Sequence, residues 1–230
     1  MRLLICSLAA LAGTLQPVSA LEFEPVKKDN GEKWLIAQGD INPGDGERLR
    51  DALRSGAYDG GLFVINSDGG SVADGLEIGR AVWRANMTTM VAPHGQCLSA
   101  CFFAFIGGRK RHVPETAQLG SHQFYHAPGA TEDGAEAMTT SQAVTGEILT
   151  FALQTGIDPQ ALTYILQTKP TDMFVFDRLM LTKFRLDDPI GKPPKSEGPI
   201  VLPSGSAKPG CTFPDGFLAS DPLGLYPQCR

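Results

Sequence analysis

The feature that most constrains this chain is a short apolar run, Gly61-Leu62-Phe63-Val64-Ile65-Asn66-Ser67, that ends in a glycine turn, Asp68-Gly69-Gly70-Ser71, and resumes at helical spacing through Leu76, Ile78, Ala81 and Val82. A run that is apolar on both faces suits a strand buried between layers, as in a parallel sheet. The helix that follows, with Ser71 or Asp68 to cap it, supplies the crossover such a sheet requires. The same alternation recurs on either side. Lys33 to Gly39 reads as a first strand, Gly44 to Ser55 as a helix carrying Leu49, Ala52 and Leu53, and Met87 to Ala92 as a third strand. Gly95 to Phe105 reads as a turn entering an apolar helix, with a strand pair around Arg111 to Val113 and Gln118 to His122 beyond it. Asp133 to Gln167 has a helical pattern broken at Gly156-Ile157-Asp158-Pro159, where Asp158 and Pro159 start a second helix. Phe174 to Leu186 is expected to return to the core as a short helix or extended piece. Strands separated by helices predict an α/β crossover fold, not a sandwich or a bundle.

The two ends differ from this middle. Arg2, the apolar run Leu3 to Leu15 and the small residues Val18-Ser19-Ala20 predict a signal peptide over residues 1–20, with the mature chain starting at Leu21. The run is shorter than the roughly 20 residues that span a bilayer, so no membrane span is expected once the signal is removed, and the protein is expected to be periplasmic or secreted. Residues 191–230 are rich in Pro, Gly and Ser and read as a surface wrap or linker. Residues 21–190 then form a single α/β domain, long enough to bury a core without help from a metal.

A net charge of −5 with scattered basic residues argues against a nucleic-acid partner. The one basic run, Arg109-Lys110-Arg111, reads as a solvated turn. Of the five cysteines, Cys6 lies in the signal. The other four permit two disulfides in an oxidising compartment, and of the three connectivities the local one, Cys97–Cys101 with Cys211–Cys229, is expected, free buried thiols being the alternative. No histidine stands at ligand spacing beside either pair, so no metal is expected.

Three pieces of the domain carry candidate chemistry: the glycine turn after the strand, a serine at a turn-to-helix junction (Gly95-Gln96-Cys97-Leu98-Ser99-Ala100), and a histidine at a strand end (Gly120-Ser121-His122-Gln123). A serine hydroxyl is a poor nucleophile until a base takes its proton, and amides at a helix start can hold a developing oxyanion. Consecutive glycines let backbone approach a substrate closely and turn N–H groups inward.

In this order the pieces resemble the proteolytic subunit of Clp-type proteases and, more broadly, the Clp/crotonase superfamily, which also holds signal peptide peptidases. The family's Ile-Asn-Ser-x-Gly-Gly-Ser pattern stands as Ile65-Asn66-Ser67-Asp68-Gly69-Gly70-Ser71, with Asp68 where the Clp subunit usually has Pro. Its Gly-Gln-x-x-Ser pattern stands as Gly95-Gln96-Cys97-Leu98-Ser99, its His-Gln pair as His122-Gln123, and its Asp-x-Phe, about fifty residues further on, as Asp172-Met173-Phe174. The resemblance runs from about Trp34 to Ile190 and implies a repeated ββα spiral fold. It also implies a Ser99-His122-Asp172 triad, oxyanion amides at Gly70 and Ala100, substrate contacts at Gly69, Ser71 and Gln123, a peptide or protein substrate, no cofactor, and a homo-oligomer contact through the long helix of residues 133–167.

Cys97 and Cys101 depart from the family, which has small residues there, and export would remove both ATP and the cytosolic unfoldase partner. The chain is therefore expected to be an exported serine hydrolase, a peptidase acting without ATP. A binding module that keeps the fold without the chemistry is the alternative. His126 competes with His122 for the base, and Asp158, Asp177 and Asp187 compete with Asp172 for the orienting carboxylate. Lys110 is the candidate for a Ser-Lys dyad, while His94 and His112 have no evident partners. Phe102, Phe103 and Phe124 lie around the site as possible apolar contacts for a peptide, or as core.

Overall fold

The computed structural model describes residues 20–125 and 133–188, all within one compact unit that ends at Ile190. Residues 1–19 of the expected signal peptide, His126 and the expected tail of residues 191–230, with Cys211 and Cys229, lie outside the described residues. β1 (Glu22–Lys27) and β2 (Lys33–Gln38) form an antiparallel hairpin; α1 (Asp45–Leu53), β3 (Leu62–Asn66), α2 (Val72–Arg84) and β4 (Thr88–Val91) follow. Then come β5 (Gln96–Cys97), α3 (Cys101–Phe105), β6 (Lys110–His112), β7 (Gln118–Ser121), α4 (Gly134–Thr155), α5 (Gln160–Gln167), β8 (Phe174–Val175) and α6 (Arg178–Lys183). The fold is mixed α/β, built from repeated strand and helix units.

The main sheet has the order β1-β2-β3-β4-β6 and is parallel from β2 onward. Phe63, Val64 and Ile65 of β3 are buried in succession, as a central parallel strand covered on both faces should be. β1 goes against expectation: Glu22-Phe23-Glu24-Pro25-Val26-Lys27 is polar, carries a proline and lies mostly exposed on the sheet edge, where a missing N–H costs no ladder bond.

A second sheet, ordered β5-β7-β8, pairs β5 parallel with β7 and β7 antiparallel with β8. Single bridges, Ile41 to Gly70 and Ser67 to Cys97, extend the same pattern at the carboxyl ends of the main strands. Each repeat therefore sends its chain off the main sheet into a shorter second layer. The expected pair of strands near residues 111 and 120 does form, but not as a pair: β6 joins β4 in one sheet and β7 joins β5 in the other.

The core lies between the main sheet and α2, α3 and the end of α4, with Phe63, Phe102, Phe103, Phe105 and Phe151 almost wholly buried. Phe102 and Phe103 thus belong to the core, whereas Phe124 is half-buried against it. Gly75 in α2 lets α3 come close: a Cβ there would stand 2.5 Å from the Ala100 carbonyl oxygen. The basic run is not a solvated turn throughout. Arg111 is 5 % exposed and donates to the carbonyls of Gly108 (2.9 Å), Thr155 (3.1 Å) and Arg185 (2.9 Å), tying the ends of α3, α4 and α6 together. Burial pushes its guanidinium below its ordinary pKa, and Asp188 pulls it back up.

α4 starts on Asp133, whose carboxylate accepts from the amides of Ala135 and Glu136, and ends at Gly156 in the left-handed conformation. Its buried residues begin only at Ile148. Among the described residues no helix is long and apolar enough to cross a membrane, and no group of three or more His, Cys, Asp or Glu is arranged to hold a metal ion.

Candidate active site

Ser99 occupies the turn Leu98-Ser99-Ala100 between β5 and α3. Its φ of +54° lies in the left-handed region, which side chains other than glycine seldom adopt and which costs free energy that the surroundings must offset. Leu98 N–H donates to Ser67 O (3.0 Å), Cys101 N–H to Leu98 O (3.0 Å) and Phe102 N–H to Ser99 O (3.1 Å). A disulfide joins Cys97 to Cys101 across the turn, with Cα atoms 5.2 Å apart and both residues fully buried. The bridge links the last residue of β5 to the first residue of α3.

The glycine turn lies directly on this loop. A Cβ on Gly69, where φ is +106°, would stand 2.7 Å from both Ser99 Cβ and Leu98 O, so only glycine permits the approach. Ile41 N–H donates to Gly69 O (2.7 Å), and Ser71 N–H donates back to Ile41 O (2.8 Å). The amides of Gly70 and Ala100 donate to no acceptor among the described residues. Two free N–H groups beside a hydroxyl form an arrangement able to bind an oxyanion.

Ser71 caps α2: its Oγ donates to Asp74 Oδ2 (2.6 Å) and accepts from Asp74 N–H (3.3 Å). The other oxygen of Asp74, a buried residue, accepts from Gly44 N–H (2.8 Å) and Gly46 N–H (3.1 Å) at the start of α1. Asp68 caps nothing and accepts instead from the Gln96 side chain.

His122 follows β7 and is half-buried, with Nδ1 2.7 Å from Gln123 O and its ring stacked on Tyr125. A carbonyl oxygen only accepts, so Nδ1 is the nitrogen that bears hydrogen and, in the neutral ring, Nε2 is the free acceptor. Gln123 is anchored on both sides: its N–H donates to Thr168 O (2.9 Å) and its Nε2 to Leu166 O (2.7 Å) at the end of α5. Asp172 is exposed, and its carboxylate accepts from Thr171 Oγ1 at 3.4 Å.

Among the described residues no hydrogen bond joins Ser99 to the His122 ring or that ring to Asp172. The β7–β8 register, with Ser121 opposite Phe174, nevertheless has His122 and Asp172 leave that ladder at the same end. The other carboxylates have work elsewhere. Asp158 caps α5 through Gln160 N–H (2.9 Å), Asp177 caps α6 through Met180 N–H (2.8 Å), and Asp187 lies 3.2 Å from His112 Nδ1, bonded also to Val113 N–H and Arg178. His112, without an evident partner in the sequence, therefore has one, supplied from 75 residues away. His94 is exposed, as is Lys110, which sits on β6 in the other sheet. Sequence reasoning also missed Ser121, which is fully buried and whose Oγ donates to Ser99 O at 3.1 Å. A serine before a motif histidine gives no signal of its own.

No family model matches the sequence, and no curated protein aligns with it significantly. In structure the chain is similar to a ClpP1 mutant from Listeria monocytogenes, at 15 % identity and a TM-score of 0.52, over 67 % of this chain and 88 % of that one. The described chain has a ClpP-like fold.

Proposed function

We propose that the protein is an exported serine hydrolase, a peptidase that works through an acyl-enzyme without ATP or a cofactor. The observation that carries this reading is the Ser99 turn, where a left-handed serine lies against Gly69 and the amides of Gly70 and Ala100 donate to no acceptor among the described residues. Ser99 Oγ attacks the scissile carbonyl while His122 Nε2 takes its proton, and the Gly70 and Ala100 amides hold the oxyanion. His122 then protonates the leaving amine, and water repeats the sequence on the ester. Asp172, which among the described residues caps no helix and pairs with no cation, unlike Asp158, Asp177 and Asp187, is the orienting acid. In the described state the Gln123 carbonyl occupies Nδ1 in its place.

The ClpP-like fold and the absence of buried residues in the first half of α4, where Met138 is 63 % exposed, support a homo-oligomer formed through that helix. A second reading, a binding module that keeps the fold and holds a peptide in the same cleft, draws on the missing Ser99–His122 and His122–Asp172 hydrogen bonds. Labelling of the purified protein by a fluorophosphonate probe separates the two. The hydrolase requires labelling that vanishes in Ser99→Ala; no labelling of the folded wild type leaves the binding module.

A further inference from the structure

We infer that Ser121 is a positioning residue for one of the two oxyanion amides, an inference that rests on the hydrolase reading. A trans peptide unit is planar, so its C=O and N–H point in opposite directions and fixing one fixes the other. Both free amides belong to units whose carbonyl is held on the far side. The Gly69 carbonyl, in one plane with Gly70 N–H, accepts from Ile41 N–H at 2.7 Å. The Ser99 carbonyl, in one plane with Ala100 N–H, accepts from Phe102 N–H at 3.1 Å and from Ser121 Oγ at 3.1 Å.

The two anchors differ in kind. The one on Gly69 is backbone, inherent in the bridge between Ile41 and Gly70, and needs no particular side chain. On Ser99 the α3 turn supplies a single bond, and the second comes from a buried hydroxyl on β7, one residue before His122. Ser121 therefore couples the strand that carries the proposed base to the aim of the Ala100 amide. Its hydroxyl is fully buried, and removing it leaves the Ser99 carbonyl to one local donor, free to tilt the peptide plane. Losing an oxyanion donor outright costs about 10² to 10³ in rate, and misdirecting one costs part of that.

The test is fluorophosphonate inactivation resolved into its maximal rate and its half-saturating concentration, for the wild type, Ser121→Ala, Ser121→Cys and Thr89→Val. Thr89 is the matched control: a fully buried hydroxyl that donates to a backbone carbonyl, Phe105 O at 2.8 Å, away from the Ser99 turn. The inference expects Ser121→Ala to lower the maximal rate about tenfold with the half-saturating concentration unchanged, and Ser121→Cys, a weaker donor of similar size, to fall between. Thr89→Val is expected to lose similar thermal stability at a wild-type rate. If Ser121→Ala does not fold, Ser121→Cys alone decides by the same split. A wild-type maximal rate in the Ser121 variants, or an equal loss in Thr89→Val, overturns the positioning role and leaves the hydrolase reading standing. A wild type that does not react overturns both.

Discussion

Two histidines of this chain sit in regions that look alike by chemistry and differ in construction. His112, at the end of β6, faces Asp187, and that carboxylate is also bonded to Val113 N–H and reached by Arg178, which donates in turn to the carbonyls of Val113 and Pro114. His122, just after β7, has among the described residues only a carbonyl at Nδ1 and an aromatic ring alongside. The complete His–carboxylate pair holds β6 to the chain after α6, away from the Ser99 turn. The sparser region has a left-handed serine, a glycine pressed against it and two spare amides. A histidine–carboxylate contact does not by itself mark chemistry; the proposed hydrolase rests instead on unspent donors beside a strained serine.

The sharpest way to break this comparison is to exchange the expected roles. His122→Ala is expected to slow fluorophosphonate labelling about 10³-fold with little change in melting temperature. Asp172→Asn is expected to cost less, about 10²-fold, because the Gln123 carbonyl already favours the required tautomer; equal losses would show that the carbonyl does not serve in the working state. Replacing both Cys97 and Cys101 by serine removes a cross-link over a very short loop, worth about 2 kcal/mol of stability by chain entropy, and is expected to slow labelling as the Ser99 turn relaxes. Unchanged labelling of the reduced protein would mean that the backbone hydrogen bonds suffice to hold the turn. The smallest effect belongs to the other histidine. Asp187→Ala is expected to lower unfolding stability by about 1 to 2 kcal/mol at an unchanged labelling rate, and a slowed rate would erase the distinction between the two regions.

Much of the frame was legible because it rests on local pattern. Leu62 to Asn66 is apolar on both faces, Ser71 and Asp158 stand where helices begin, and Gly156 ends α4 in the conformation glycine tolerates best. What escaped was set by pairing at a distance. Nothing in Lys110-Arg111-His112 and Gln118-Leu119-Gly120-Ser121 says that neighbours in sequence enter different sheets, and two-residue strands such as β5 and β8 are too short to show a period. In the site, Ser99 and Gly69 were readable from their motifs, and the structure brings them into contact. The His112–Asp187 pair and the Ser121–Ser99 bond were not readable, because each joins residues far apart in the chain through side chains that are common in loops and on surfaces. Among the competing aspartates, Asp158 and Asp177 bond helix-start amides and Asp187 pairs with His112, which leaves Asp172 as the proposed orienting acid.

The direction of the parallel strands divides the molecule into two unequal halves. Ile41, Gly69 to Ser71, Ser99 and His122 all come after the carboxyl ends of strands, while the connections at residues 28–32, 54–61, 85–87 and 106–109 precede the amino ends of β2, β3, β4 and β6. One rim of the sheet therefore carries these residues of the proposed site, and the other returns the chain. Drift, insertion or a grafted tag on the returning rim is separated from the proposed site by the length of a strand, so the same scaffold can change its outward surface without re-evolving its centre.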